Sequence, residues 1–489
     1  MTSSNPLFDI DIDLDLPAPG SGGVSQALHR QLRSAIVEGR LVPGLRLPAS
    51  RKLAALVGVS RSTATGVYDL LQSEGYVEGH HGSGTFVASR TATPRSTTPP
   101  TPGAAPAHKL AAAWRNASPP PATPSTAPRF DFRAGYPDQQ RFPFDVWRRL
   151  ASRALRAAAR TSGAGSDPQG DPRLREAIAH HVSDARAVAC DADAVVVTAG
   201  AQQAFDLLVR ILVTPGRTAV ALENPGYPPL HAAFEWAGAK LHDIGIDQHG
   251  LCVDQLPQRV DVIAVSPSHQ SPLGVTMSAA RRLALLEHAR TRDALVIEDD
   301  YDGEFRLGGR PLDALQTLDR EQRVFYVGTF AKSMFMALRI GFVIAPPWAV
   351  PALVAARLQH NWHVPAVNQA TLASFIAEGH LARHVRKMRP VYAERHDTLL
   401  RAIEQHLPHR LAPVPSLAGL HLSAALRAPD PAARWQAAAA GAGVRIATLA
   451  PSVRRPLVLN GLVFGYGLIE TSDIEPGIRA LAQALRQSG

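Results

Sequence analysis

The stretch from residue 91 to residue 128 sets the strongest limit on how this 489-residue chain can fold. It holds ten prolines among threonine, serine and alanine, as in TTPPTPGAAP and SPPPATPSTAP. Such a segment cannot bury a hydrophobic core, and its prolines favour an extended polyproline conformation. We therefore expect a semi-rigid linker between a small domain at residues 24–90 and a large one at residues 129–489, preceded by an N-terminal arm at residues 1–23.

The large part alternates short apolar runs with helical patterns. Five runs rich in β-branched residues each precede an amphipathic stretch: VVVTAG, TAVALENPGY, VIAVSPS, ALVIEDDY and RVFYVGTF. Strands of this kind between helices are typical of the α/β class with a mostly parallel central sheet. The sequence therefore predicts a large α/β domain.

Composition narrows the class of protein. Apolar residues make up 45% and charged residues 19% of the chain, which is typical of a globular protein, and no apolar run approaches the roughly 20 residues that span a bilayer. The aspartate-rich N-terminus does not read as a signal peptide. Cys190 and Cys252 lie far apart and match no metal spacing, so we expect free thiols, no metal site and a cytoplasmic location.

The small domain shows three helical patterns followed by two strands. Leu28, Leu32 and Ile36 give the first helix an apolar stripe, and Ser50 lies at the start of a second, shorter helix. Gly58 supplies a turn between the second and third helices. Two short helices around a glycine turn are the helix-turn-helix pattern, and YVEGHHGSGTFVAS adds a two-stranded wing.

The small domain carries an excess of basic residues, and one of them lies at a helix start that could contact a DNA backbone. Residues 24–90 hold eight arginines and lysines against four acids, a net charge of +4. Ser60 is a good N-cap, and Arg61, Ser62 and Thr63 follow it in the first turn of the third helix. Backbone amides and side chains at a helix start can contact phosphates and base edges. A solvated basic helix face is the alternative interpretation.

The blocks LPASR, GVSRSTA and EGYVEGHHGSGTFV resemble, in the same order, the GntR-type winged helix. The resemblance implies that the domain binds double-stranded operator DNA, with the wing tip near the minor groove, and that it acts as a homodimer on paired half-sites. The residues expected at the DNA are Arg51, Lys52, Ser60, Arg61, Ser62, Thr63, Gly82 and Ser83.

Four blocks of the large part can face one crevice, because open α/β sheets bind ligands beyond the carboxyl ends of their strands. Gly200-Ala201-Gln202 lies at a strand-to-helix turn, where free helix amides form an anion pocket. Tyr227 lies on a loop after a strand, and Asp299 and Tyr301 lie at the end of another. Each block alone could be a plain turn, a packed tyrosine or a solvated strand end.

The fourth block, GTFAKSMFMALRIGF, contains Lys332. Only five of the 51 basic residues of the chain are lysines. An amine can lose its proton and become a nucleophile, whereas a guanidinium cannot. Lys332 is therefore a candidate for covalent chemistry.

An amine, a carboxylate and an anion pocket together suit pyridoxal 5′-phosphate, PLP. The combination resembles the fold-type I aminotransferases, and the blocks FRAGYPDQQRFPFDVWRR, SDPQGDPRLREAIA, SPSHQSPLG and EDDYDGEFR resemble the MocR/GabR-like regulators, which join a GntR-type winged helix to an aminotransferase-like domain. The resemblance implies a smaller C-terminal α+β part and a DNA-binding transcription regulator that senses an amine or amino acid.

The resemblance also assigns roles to single residues. Lys332 would form the Schiff base with the cofactor, Asp299 would face the pyridine nitrogen, and Tyr301 would face the phenolic oxygen. Tyr227 would stack on the ring. The phosphate would be held by Gly200, Ala201, Gln202, Thr329 and Arg339.

Four positions depart from the family pattern. Ala331 replaces a serine before the lysine, Gly165 stands where a tyrosine is common, and Ser271 stands where an aromatic residue is usual. The late strand carries Asn460 and no arginine for a substrate carboxylate. Two other functions therefore stay open: a working aminotransferase with an attached DNA-binding domain, and a winged-helix regulator without the cofactor.

Overall fold

The computed structural model describes two compact units, Met1–Pro119 and Pro120–Gly489. The described residues are 14–17, 23–80, 83–89, 109–110, 114–115, 127–160, 167–307, 313–427, 430–454 and 459–487.

The first unit contains the predicted helix-turn-helix and wing. Its elements are α1 (Val24–Val37), α2 (Ser50–Val57), α3 (Arg61–Ser73), β1 (Val77–His80) and β2 (Gly84–Val87), and the two strands pair antiparallel. The apolar stripe of α1 is buried against α3 through Leu28, Leu32 and Ile36, as its spacing predicts. Gly58 ends α2 with a φ of 69°, a left-handed conformation that glycine adopts without strain.

The second unit is built on an eight-stranded sheet with the order β4-β11-β10-β9-β8-β5-β6-β7. Its strands are β4 (Val195–Thr198), β5 (Ala219–Asn224), β6 (Lys240–Asp247), β7 (Gly250–Leu251), β8 (Val262–Val265), β9 (Leu295–Asp300), β10 (Val324–Thr329) and β11 (Gly341–Ile344). The five central strands from β10 to β6 are parallel, whereas β11 and β7 run antiparallel to their neighbours. All five predicted runs are strands, and the α/β class is confirmed.

Helices pack on this sheet and bury its two faces. They are α4 (Phe144–Ala158), α5 (Pro172–Arg186), α6 (Ala201–Leu212), α7 (Pro228–Trp236), α8 (Ala279–Thr291), α9 (Leu315–Leu318), α10 (Val350–Asn361) and α11 (Ala366–Ala377). Strands β4, β5, β8 and β10 are buried along their whole length, which explains why they read as continuous apolar runs rather than as alternating patterns.

A smaller α+β part follows the large sheet. It has a four-stranded antiparallel sheet in the order β12-β13-β16-β15 and a parallel pair of β14 with β3. Its elements are β3 (Phe130–Asp131), which precedes the large sheet in the chain, and α12 (His380–His406), β12 (Leu411–Pro413), β13 (His421–Leu426), α13 (Ala432–Gly441), β14 (Val444–Arg445), β15 (Ala447–Thr448), β16 (Gly461–Gly465) and α14 (Thr471–Gln487). Within the described ranges, no helix combines the length and apolar character that a bilayer crossing requires.

Candidate functional site

The start of α3 presents its polar residues on an exposed surface of the first unit. Arg61 and Ser62 are exposed, and Ser60 Oγ accepts a hydrogen bond from the backbone N–H of Thr63 at 3.1 Å, as expected of an N-cap. Arg51 and Lys52 are exposed at the start of α2. These side chains are therefore available to a ligand outside the unit.

The buried side of α3 fixes the direction of that surface. Tyr68 Oη donates to the carbonyl oxygen of Pro48 at 2.7 Å, which joins α3 to the segment before α2. Ser83 is exposed in the turn between β1 and β2, and its neighbour Gly82 lies outside the described residues. The predicted DNA-contacting residues that can be placed thus lie on the helix-turn-helix and the wing.

In the second unit, a cavity of about 440 Å³ lies at the carboxyl ends of the parallel strands. Eight of the nine predicted cofactor residues line it: Ala201, Gln202, Tyr227, Asp299, Tyr301, Thr329, Lys332 and Arg339. The ninth, Gly200, lies next to the guanidinium group of Arg339. The structure therefore brings together residues that are up to 139 positions apart in the sequence.

One group of residues at the cavity is suited to an anion. Gly200 is the N-cap of α6 with a φ of 83°, and the first amides of a helix have no partner within the helix. A Cβ at Gly200 would lie 3.1 Å from a guanidinium nitrogen of Arg339, so glycine lets this cation approach the helix start. Arg339 donates to the carbonyl oxygen of Ala199 at 3.3 Å. Thr329, at the end of β10, lines the same cavity.

The same cavity contains a buried carboxylate, that of Asp299. The side chain of Asp299 is buried, and its Oδ1 atom has no hydrogen-bond partner among the described residues. Burial, followed by the nearby carboxylates of Asp300 and Glu223, holds the pKa of Asp299 well above its usual value. A positively charged N–H donor that enters the cavity would therefore stabilise the ionised form of Asp299.

The neighbouring aspartate has a different environment. Asp300 accepts hydrogen bonds from Arg186 Nε and from Tyr326 Oη, both at 2.6 Å. Successive side chains of a strand point to opposite faces, so Asp299 faces the cavity and Asp300 faces the buried arginine.

Lys332 lines the same cavity. Its Nζ atom donates to the carbonyl oxygen of Gly135 at 2.6 Å. Burial lowers the pKa of the Lys332 amine, and this effect exceeds the opposing influence of Asp302 and Asp299. A lowered pKa increases the neutral, nucleophilic fraction of an amine at a given pH. Gly135 has a φ of 80°, and a Cβ there would lie 2.8 Å from Nζ.

The two tyrosines differ in how firmly they are held. Tyr301 Oη lies 3.0 Å from Nδ1 of His269. Tyr227 is 38% exposed and its ring lies 6.4 Å from that of Phe205, centroid to centroid. Tyr227 therefore has a free face at the mouth of the cavity.

Several lining residues were missed by the sequence analysis. Tyr136 lies beside Gly135 in the FRAGYP block, whereas His421, Thr448 and Ser452 come from the C-terminal part. The only sequence signal for Tyr136 is its place in the FRAGYP block. His421, Thr448 and Ser452 lie in short strands and loops that show no periodicity. One side-chain nitrogen or oxygen atom from each of His269, Asp302 and His421 lies within 4.8 Å of the other two.

The four departures have different surroundings. Ala331 and Ser271 line the cavity, and Gly165 lies outside the described residues. Asn460 is not among the lining residues; it bonds to the backbone of Ala432 and Asp430 at the start of α13. Arg454 bonds to Glu235 and Asp243, each at 3.4 Å. Among the described lining residues, Arg339 is the only arginine.

Comparisons with known proteins agree with this architecture. Residues 24–87 match the model of bacterial regulatory proteins of the gntR family, and residues 131–448 match that of aminotransferase class I and II. The chain is 36% identical over 463 residues to the probable rhizopine catabolism regulatory protein MocR of Rhizobium meliloti, covering 94% of this chain and 92% of MocR. The chain belongs to the MocR-like HTH-type transcription regulators.

Other matches extend the comparison. The HTH-type transcriptional regulator TauR of Rhodobacter capsulatus is 35% identical over 397 residues, covering 79% of this regulator and 81% of TauR. A crystal structure of an archaeal alanine:glyoxylate aminotransferase superposes with a TM-score of 0.70 at 28% identity, covering 75% of this regulator and 92% of that chain. The regulator is thus a DNA-binding protein with a PLP-binding, aminotransferase-like domain.

The cavity of this MocR-like regulator fits that cofactor. A buried amine, a buried carboxylate oxygen without a partner and a helix start beside an arginine match the three chemically distinct parts of PLP. The unpartnered Asp299 Oδ1 is the most specific of these features, because buried polar atoms in proteins are rarely left without a partner.

Proposed function

We propose that the large domain, residues 129–489, holds PLP in this cavity and uses the loaded cavity to recognise an amine or amino acid. The observation that carries the proposal is the unpartnered carboxylate of Asp299 in the same cavity as the amine of Lys332. PLP, when bound, supplies an aldehyde carbon that bonds reversibly to primary amines. An effector amine would compete with Lys332 for that carbon.

Each lining residue has a separate task in this proposal. Asp299 keeps a proton on the ring nitrogen, because a buried anion without a partner attracts a cationic donor. Tyr301 donates a hydrogen bond to the phenolic oxygen. Tyr227 covers one face of the ring. Lys332 provides the amine, and its low pKa favours the neutral form that the bond requires. The phosphate is held by Gly200, Ala201, Gln202, Thr329 and Arg339.

At the operator, the domain at residues 24–90 would use the exposed residues at the starts of α2 and α3 and in the wing. Arg61 lies best for a base or phosphate contact, because it is exposed in the first turn of α3. The other contacting residues would be Arg51, Lys52, Ser60, Ser62, Thr63, Gly82 and Ser83. We further propose a cytoplasmic homodimer that occupies two half-sites.

A sensing role is favoured over transamination. Aminotransferases fix a substrate carboxylate with a late arginine, whereas Arg339 is the only arginine among the described lining residues and is assigned here to the phosphate. We therefore expect amine binding to change operator affinity, with slow or undetectable turnover of the amine.

Two reciprocal variants test the proposal. Arg61→Ala should weaken operator binding by about 1–3 kcal/mol and leave the visible absorption of the PLP-loaded protein unchanged. Lys332→Ala should abolish that absorption and the response to amines but keep most operator affinity. Arg30→Ala, at an exposed position of α1, is the matched control for the loss of one positive charge.

The outcomes separate the two parts of the proposal. Unchanged operator affinity in Arg61→Ala would overturn the assignment of α3 as the helix that reads DNA. A full amine response in Lys332→Ala would overturn competition for the cofactor as the sensing step.

A further inference from the structure

His269 lies at one side of the cofactor cavity with both ring nitrogens in contact with polar groups. Its Nδ1 atom is 3.0 Å from each carboxylate oxygen of Asp302 and 3.0 Å from Tyr301 Oη. Its Nε2 atom is 3.2 Å from Ser416 Oγ. The side chains of His269 and Asp302 are 1% and 2% exposed, so this pair is shielded from water.

The contacts define where the hydrogens lie. A carboxylate only accepts hydrogen bonds, so the ring nitrogen beside Asp302 must carry a hydrogen. This Nδ1–H group is directed to Asp302, and the Tyr301 oxygen at the same distance can share it only as an acceptor. The hydrogen of the Tyr301 hydroxyl then cannot point at Nδ1. The Ser271 hydroxyl, which also lines the cavity, contacts the same oxygen as a donor and lowers the pKa of Tyr301, so the tyrosine hydrogen is left to point into the cavity.

We propose that His269 is a positioning residue for Tyr301: its Nδ1–H, held by Asp302, makes the tyrosine hydroxyl a donor towards the cavity. The inference rests on the proposed function, in which Tyr301 donates to the phenolic oxygen of the cofactor. Of these three residues, only Tyr301 lines the cavity. His269 acts from behind it.

The ring of His269 is fixed by the C-terminal part of the domain. Gly419 has a φ of 90°, and a Cβ there would lie 2.0 Å from Cε1 of His269, so the backbone packs directly on the ring. Ser416, three residues earlier, contacts the other nitrogen. The histidine therefore cannot rotate away from Tyr301 without moving this segment.

Other charged groups surround the same hydroxyl and would contribute to any pH profile. Burial, followed by the carboxylates of Asp302, Asp299 and Glu223, raises the pKa of Tyr301 well above its usual value, and the hydrogen bond with Ser271 opposes this rise. His421 faces His269 with ring centroids 4.8 Å apart and is itself influenced by Lys332. A test must therefore compare variants that differ in one ring nitrogen only.

Two substitutions of His269 make that comparison. His269→Asn places an amide nitrogen near the position of Nδ1, whereas His269→Gln places it near that of Nε2. The measurement is the pH midpoint of the visible absorption change of the full-length protein loaded with PLP, together with the dissociation constant for PLP. Tyr301→Phe is the reference, because it removes the donor itself.

We expect His269→Gln to raise the midpoint by about one pH unit, in the same direction as Tyr301→Phe, because a lost donor disfavours the deprotonated chromophore. His269→Asn should keep the midpoint within a few tenths of the wild-type value. In the Tyr301→Phe background, His269→Gln should add little, since coupled positions are not additive. Asp302→Asn provides a second variant should His269→Gln fail to fold. Because it also removes a charge that raises the pKa of Lys332, its midpoint shift is compared with the shift that the same change produces in the Tyr301→Phe background, and we expect it to be about one pH unit higher when Tyr301 is present.

The outcomes distinguish this inference from the proposed function. No shift in Tyr301→Phe would contradict the cofactor role of Tyr301 itself. A shift in Tyr301→Phe with none in His269→Gln, or an Asp302→Asn shift that is the same with and without Tyr301, would overturn the inference alone. A shift in His269→Asn but not in His269→Gln would assign the effect to Nε2 and Ser416 and would also overturn it.

Discussion

Replacing Asp299 with asparagine should have opposite effects on the empty and the PLP-loaded protein. Without PLP, Asp299→Asn removes a buried carboxyl group whose ionisation is disfavoured and whose Oδ1 atom has no hydrogen-bond partner among the described residues. The amide that replaces it is still polar and buried, so we expect a net stabilisation of about 1 kcal/mol. With PLP, the same change removes a hydrogen bond to a charged group, which contributes about 1.5–3 kcal/mol and corresponds to a roughly 10- to 150-fold weaker affinity.

These values predict that the order of stability reverses. At a PLP concentration 100 times the wild-type dissociation constant, the cofactor stabilises the folded protein by about 2.7 kcal/mol. A 30-fold loss of affinity removes about 2 kcal/mol of this. Asp299→Asn should therefore unfold at a higher temperature than wild type without PLP and at a lower temperature with it, each by about 1–3 °C in calorimetry.

Asp300→Asn is the matched control one residue away. It leaves Arg186, which is 4% exposed, as a buried cation without its carboxylate partner. Breaking such a pair costs about 3–5 kcal/mol. This variant should be less stable than wild type with and without PLP.

The pH dependence gives a second signature of Asp299. Its pKa is higher in the folded chain than in the unfolded chain, so the folded chain binds the proton more tightly. The resulting stabilisation is present at low pH and is lost as the pH rises through the folded pKa. Without PLP, the gain in unfolding free energy of Asp299→Asn over wild type should therefore grow with increasing pH. A loss of stability in the empty variant, or unchanged PLP affinity, would refute the reasoning.

Three further predictions follow from other parts of the structure. Gly200→Ala should weaken PLP binding about tenfold, because a Cβ would crowd Arg339 and because the φ of 83° and ψ of 171° at Gly200 form a conformation that essentially only glycine adopts. Gly216→Ala, also at a positive φ but with open space around the added Cβ, should leave PLP affinity unchanged. Ser60→Ala should lower the stability of the winged helix by about 1 kcal/mol in thermal unfolding, because the α3 cap is lost; equal stability would contradict the cap. The rate of PLP attachment to Lys332 in stopped-flow should rise with pH and reach half of its maximum below the usual lysine pKa of 10.5, and a midpoint at or above that value would contradict the lowered amine pKa.

The sequence was sufficient for the fold because the strands are buried and their β-branched runs are uninterrupted. The short C-terminal strands could not be predicted in the same way, since Val444–Arg445 and Ala447–Thr448 have two residues each and show no periodicity. Ser60 was identified correctly as an N-cap because capping depends on neighbours in the sequence.

The site was only partly accessible from the sequence. The order of the blocks indicated which residues meet at the carboxyl ends of the strands. It did not distinguish Asp299 from Asp300 by their surroundings, since that depends on which face of β9 each side chain occupies. The pairing of His269 with Asp302 joins two loops 33 residues apart, and no local pattern marks it.

The central claim is that the large domain holds PLP through Lys332, and the absorption spectrum of the purified protein tests it most directly. The spectrum would be recorded before and after addition of PLP, for wild type, Lys332→Ala and the control Lys240→Ala. We predict a visible band in wild type and Lys240→Ala that is absent from Lys332→Ala and changes when an effector amine is added. A wild-type protein without the band in excess PLP, or a band that persists in Lys332→Ala, would contradict the claim.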